Sequence, residues 1–182
     1  IVNPTGDFDP AAPPEWRAVG SSKSGPVASL TRTNASVPAE VLASIQACFI
    51  QTPMRYRAPL DQVRRGFEKA DALCRQAIAE HADADDLWIV RNRRIIALLG
   101  LWQLTLDQAH LEAAVVTAET ALAGSYPQGT DVVARFCLAK YALRATKADP
   151  ASVINRMIEQ AGEDRASGNV LAAAAVLALD VG

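Results

Sequence analysis

The sequence predicts an all-α protein in which about seven helices form an antiparallel stack of helix pairs behind an extended N-terminal arm. Hydrophobic residues make up 50% of the 182-residue chain but aromatic residues only 5%. Alanine and leucine therefore supply most of the apolar surface, which suits close-packed helices. From Ser36 onward, apolar residues recur at steps of three and four, which is the helical period. No segment has a sustained strand pattern or a hairpin signal.

The predicted arm, residues 1–35, is rich in Pro, Gly and Ser and has no helical or strand period. Such a composition does not fold by itself, so we expect the arm to be held by its apolar residues Phe8, Trp16 and Val27. They dock either on a groove of the helical domain or on a partner chain, and the sequence favours neither. Residues 36–182 form the predicted helical-repeat domain.

The first two helices are predicted over residues 38–50 and 60–81. Pro38 suits the first turn of a helix, where its missing N–H costs nothing, and Pro53 ends the first helix. The second helix carries one narrow apolar stripe, with opposite-charge pairs such as Asp71 and Arg75 on its outer side. The stripe consists of Leu60, Val63, Phe67, Ala70, Cys74, Ala77 and His81.

The third predicted helix, residues 85–105, is apolar nearly all round from Ile95 to Leu104. A helix with no polar side is surrounded by other elements, so we expect this one at the centre. The acidic linker HADADD before it is expected to cap its N-terminus. Four more helices follow, over residues 109–124, 131–146, 150–161 and 169–179, with N-caps expected at Thr130 and Asp149.

The helix-pair pattern resembles the tetratricopeptide repeat, in a divergent form that covers residues 60–161. In that family the second helix of a repeat has small and bulky residues at fixed steps, and a Trp often follows in the next repeat. The usual Leu-Gly pair is missing, because Arg91 and Asn92 stand there, and Ala82 replaces a proline. The resemblance implies a concave surface that binds peptides or proteins, without catalysis. The matching positions are Ala70, Cys74, Ala77, Ala82, Trp88, Ala114, Ala118 and Ala121.

Two features suggest partner-binding surfaces. Arg91 and Arg94 lie three residues apart on the central helix and share a face with Leu98. Long cationic side chains on a mostly buried helix need partners. These partners are either acids of the chain itself or a carboxylate or acidic peptide of a ligand. The acids that the sequence offers are Asp85, Asp86, Glu119 and Asp131.

The second feature is the apolar C-terminal run that includes Val170 and Leu171. A terminal unit of a helical repeat usually has a polar outer face, and this one has none. We expect it to pack on the N-terminal arm, on a following domain or on another subunit. The predicted partner-binding residues are Phe8, Trp16, Arg91, Arg94, Val170 and Leu171.

The sequence contains no recognisable catalytic, cofactor or metal motif. Its two histidines, His81 and His110, lie outside any nucleophile–base pattern, and glycine-rich phosphate loops are missing. The three cysteines lack disulfide or zinc spacing, so we interpret them as small buried hydrophobes. They are Cys48, Cys74 and Cys137.

Charge and hydropathy limit the partners. The formal net charge is −2, so the chain has no strong positive field that would attract nucleic acid. No apolar run is long enough to span a bilayer.

The preferred hypothesis is a non-catalytic interaction or scaffold subunit of a larger assembly. The alternatives are an accessory helical domain of a larger exported enzyme, or a stand-alone small-ligand-binding or catalytic domain with a polar pocket near Arg91 and Arg94. The first residue is Ile1 rather than Met, which favours a periplasmic or secreted protein.

Overall fold

The computed structural model describes residues 35–49, 58–124, 130–145, 148–161 and 167–181. Within these ranges the backbone forms seven α-helices and no strand, which confirms the all-α prediction. The predicted arm, apart from Ala35, lies outside the described residues. The helices are α1 (Ala39–Ala47), α2 (Leu60–Glu80), α3 (Leu87–Thr105), α4 (Gln108–Leu122), α5 (Val132–Ala145), α6 (Pro150–Ala161) and α7 (Ser167–Val181).

Helix α2 buries most of its predicted stripe, which faces α1 and α3. The stripe residues between Phe67 and Ala77 are buried, but Leu60 in the first turn is exposed to solvent. An apolar stripe is buried only where another element packs on it, so the part of α2 that extends past its neighbours stays exposed. The buried residues are Phe67, Ala70, Cys74 and Ala77.

Helix α3 is the central helix, as predicted. It packs against α1, α2, α4 and α5, and all five residues from Ala97 to Leu101 are buried. The helix ends where Leu106 adopts a left-handed backbone conformation with φ of 56°. Its backbone N–H donates to the carbonyl of Trp102 at 2.7 Å, which closes the last turn.

Side-chain contacts define the direction of the central helices. Phe67 of α2 lies against Gly100 of α3, and Asp71 bonds Arg94. Residue numbers therefore rise along α2 as they fall along α3, so the two helices are antiparallel. Helices α3 and α5 are parallel, because Asn92 bonds the carbonyl of Thr130 and, ten residues further along each chain segment, Trp102 meets Lys140.

Each helix packs on the next one in chain order, and α3 with α5 and α5 with α7 make additional contacts. This order agrees with a stack of helix pairs. Sequential contacts occur equally in an up-and-down bundle, so the repeat arrangement remains a prediction.

The start of α3 is built differently from the expected acidic cap. Asp86 is the N-cap residue but makes no capping bond. Its Oδ1 instead accepts a hydrogen bond from the backbone N–H of Val37 at 2.8 Å, while the N–H of Asp85 donates to the carbonyl of Ala35 at 2.9 Å. These two bonds hold the segment before α1 against the start of α3 and keep Val37 in the core. The predicted cap of α6 is confirmed, since Asp149 accepts from the N–H of Ser152 at 2.8 Å.

We predict that Asp86→Ala destabilises the protein by about 1–3 kcal/mol, because the N–H of Val37 loses its acceptor in a partly buried place. The measurement is the free energy of unfolding from urea denaturation. Asp83→Ala, in the exposed part of the same linker, is the matched control and is expected to change stability by less than about 0.5 kcal/mol. Equal effects of the two substitutions would contradict the role given to Asp86.

We also predict that Gly100→Ala destabilises the protein by about 1–3 kcal/mol, because a Cβ at this position would overlap the ring of Phe67. In the double mutant Gly100→Ala/Phe67→Leu the smaller side chain makes room for the methyl group. The two substitutions should therefore cost less together than the sum of their separate effects. Strict additivity in a double-mutant cycle would show that the ring does not set the approach of α2 to α3.

Candidate functional site

A groove with a volume of about 510 Å³ opens among five of the helical segments and is here called the apolar groove. Parallel helices α3 and α5 form its floor, and α2, α7 and the end of α1 form its sides. Its walls are mostly apolar, which is typical of ligand and peptide sites. The lining residues are Cys48, Phe49, Val63, Phe67, Ile96, Leu99, Gly100, Gln103, Val132, Val133, Phe136, Lys140, Ala173 and Val176.

The floor of the groove follows from helical spacing. On α3, Ile96, Gly100 and Gln103 lie at steps of four and three, and on α5, Phe136 and Lys140 lie four apart. Residues at these steps share one face of a helix. Each floor strip therefore begins with apolar residues and ends with a polar one, Gln103 or Lys140.

Lys140 is the buried cation of the groove. Its side chain is only 7% exposed, and its Nζ lies 5.7 Å from the ring centroids of both Trp102 and Phe136. A cation over an aromatic face is attracted by the negative potential of the ring. The sequence reasoning missed Lys140. Its position four residues after Phe136, on the apolar stripe of the fifth helix, was the available signal.

Arg93 borders the groove without being one of its lining residues. It precedes Ile96 by three residues and Gly100 by seven, so it continues the floor strip of α3. Its guanidinium carbon lies 5.8 Å above the centroid of the Phe49 ring. Among the described residues Arg93 has no ion pair. Within the same part of the chain, no Asp or Glu side chain lines the groove.

The two arginines that the sequence singled out point elsewhere. Arg94 bonds Asp71 on α2, with 2.9 Å between Nε and Oδ1, and Asp71 also pairs with Arg75 at 3.1 Å. The structure therefore pairs Arg94 with an acid outside the four that the sequence suggested. Arg91 lies on another side of α3, with Nη1 beside Gly124 at the end of α4. Neither lines the apolar groove, so the two do not form one binding surface there.

The other predicted partner-binding residues are only partly described. Phe8 and Trp16 lie outside the described residues. Val170 and Leu171 belong to α7, but their side chains lie outside the described part. Further along α7, Ala174 and Leu177 are buried against α5 and α6.

The outer side of α7 leaves apolar side chains in solvent. Val176 is 49% exposed at the rim of the apolar groove, and Leu179 is 83% exposed one turn further on. The expected apolar outer face is therefore present on this helix. It continues the groove onto the protein surface.

All three cysteines are free thiols. Cys74 and Cys137 are fully buried, as predicted, and burial raises the pKa of each thiol to about 12, helped at Cys74 by the nearby carboxylate of Asp71. Cys48 differs, because it is only partly buried and lines the apolar groove. Its Sγ donates to the carbonyl of Ser44 at 3.3 Å.

The described part of the chain has no cluster of three or more metal-ligating side chains, and no described helix is long and apolar enough to cross a membrane. His81 follows the end of α2 and His110 lies in the first turn of α4. Comparison of the chain with protein families, curated proteins and solved structures found no match in any of the three.

We predict that, in the folded protein at pH 8, iodoacetamide alkylates Cys48 and leaves Cys74 and Cys137 unmodified. The thiolate is the reactive form, and both buried thiols stay protonated until the pH approaches their pKa of about 12. Peptide mass spectrometry after timed labelling measures this, with the urea-unfolded chain as the control in which all three react. Rapid folded-state labelling of Cys74 would contradict the described packing.

The same pKa shifts give a pH dependence. The ordinary pKa of a thiol is 9.0, so between pH 9 and 12 the unfolded chain releases protons that the folded chain retains. Stability is therefore unaffected by these groups below pH 9 and falls as the pH rises above it.

Proposed function

We propose that this chain is a non-catalytic interaction module that binds a partner protein through the apolar groove. The observation that carries the proposal is a concave, hydrocarbon-lined surface of about 510 Å³ that continues onto exposed Val176 and Leu179. Apolar surface left open next to a groove is typical of protein-binding sites. The resemblance to tetratricopeptide repeats, which bind peptides and proteins, supports the same function.

The distribution of reactive groups also supports binding over catalysis. The described histidines, His81 and His110, do not line the groove, and Cys48 is the one thiol or hydroxyl nucleophile among its described lining residues. A thiol without a neighbouring base is a poor catalyst at neutral pH. We therefore propose the chain as a subunit or scaffold of an assembly, in which the groove contributes one interface.

We predict that Val176→Glu prevents partner binding and leaves the fold intact. Val176 is half exposed, so the carboxylate can remain hydrated in the unbound protein, but a bound apolar segment would bury it without a partner. The measurement uses a photo-crosslinking amino acid at Gln103, on the rim of the groove, in cells of the source organism. The expected result is one dominant crosslinked protein that disappears with Val176→Glu and remains with the matched control Val116→Glu.

Val116 suits the control because it is 61% exposed on α4 and does not line the groove. Circular dichroism melting of both variants excludes unfolding as the cause of any loss. Equal crosslinking by the two variants would show that the groove is not the interface. A chain that sediments as a monomer from native extracts, without any crosslinked protein, would contradict the proposal as a whole.

A further inference from the structure

Whether a helix or an extended segment fits the apolar groove depends on how the segment's own backbone groups are hydrogen-bonded. Peptide N–H and C=O groups that enter an apolar surface without partners are costly. The groove is built from helices, whose backbone groups bond one another, so it offers no open sheet edge to an extended peptide. Its polar side chains are few, mainly Gln103 and Lys140. A helix satisfies its own backbone bonds, so it can lie in such a groove at little cost.

The length of the groove sets the length of that helix. Along α3 the lining residues run from Ile96 to Gln103, and Arg93 lies about one turn before Ile96. The seven steps from Ile96 to Gln103 correspond to about 10 Å of helix. An occupant therefore presents an apolar face of about seven residues, with anchors at steps of three and four.

The charge at the groove indicates what borders this apolar face. Arg93 is partly exposed at one end, without an ion pair among the described residues, and the described groove wall contains no carboxylate. Positive charge at the rim of an interface favours a negative partner and repels a positive one. The charge argument rests on Arg93, and Lys140 adds a second positive charge at the far end.

From these observations we propose that the apolar groove receives an amphipathic helix of a partner protein, with an acidic residue bordering its apolar face where it meets Arg93. This inference rests on the proposed function and names the chemistry of the partner. The helix lies between α2 and α7 on the floor of α3 and α5. Its apolar side chains enter the groove, and its carboxylate meets the guanidinium of Arg93.

The test uses a fluorescein-labelled peptide of about 14 residues, held helical by a staple on its outer side because short helices are marginal in water. Leucines at steps of three and four form its apolar face, and glutamates stand at both ends, so that either orientation can reach Arg93. Two matched peptides carry Gln or Lys in place of the glutamates. Fluorescence anisotropy with the full chain measures the dissociation constants.

We expect the glutamate peptide to bind roughly three- to tenfold more tightly than the glutamine peptide, and the lysine peptide to bind more weakly still. Arg93→Gln should remove the preference for the glutamate peptide over the glutamine peptide. Arg91→Gln is the matched control, because Arg91 lies beside Gly124 outside the groove. Added salt should reduce the glutamate preference, because it screens the ion pair.

The possible failures are distinguishable. Equal binding of the glutamate and lysine peptides overturns the acidic partner but leaves the proposed function in place. Equal binding of an unstapled peptide with a central proline overturns the helical partner. If no peptide binds, or if Val176→Glu leaves binding unchanged, the groove is not a docking surface and the proposed function fails as well.

Other occupants would also overturn the inference. Displacement of the peptides by palmitate, with binding of palmitate to the chain alone, would assign the groove to an acyl chain. Crosslinks from Gln103 to residues 1–35 or to a second copy of the chain would assign it to the protein itself.

Discussion

Helix α3 is stable in water only when other helices cover it, because every residue from Ala97 to Leu101 is buried. Covering it from several sides places α2, α4 and α5 around one axis, and α7 then packs on α5. Gly100 lets α2 come close, since Phe67 occupies the space of a side chain there. The apolar groove is the part of the α3 surroundings that α2, α5 and α7 leave open.

Local features of this fold could be predicted from the sequence. The stripe of α2 and the cap at Asp149 depend on residues a few positions apart, whose contacts the helical period determines. The role of Asp86 could not be predicted, because its partner Val37 lies 49 residues away. The sequence pattern equally could not distinguish a stack of helix pairs from a bundle, since both bury the same stripes.

At the candidate site, too, local features could be predicted from the sequence and long-range contacts could not. The sequence marked Arg91 and Arg94 as candidate binding residues, but it did not show which neighbour each side chain meets. On a helix covered from several sides, consecutive positions point to different elements. Arg94 therefore meets Asp71 of α2, Arg91 meets the end of α4, and Arg93 lies over Phe49, which lines the groove. Predicting this requires the arrangement of the helices around α3.

The different surroundings of the three arginines bear on the recognition of a partner. The ion pair of Arg94 is half buried and joins α2 to α3, so its charge is used within the fold. The guanidinium of Arg93 lies over the Phe49 ring and has no ion pair among the described residues, so in the proposed complex it pairs with a carboxylate of the partner. A single charge at the border of a hydrocarbon surface adds little affinity, but it selects against basic partners and fixes the orientation of a bound helix. The apolar contacts would then provide most of the binding free energy, while Arg93 would select among apolar helices.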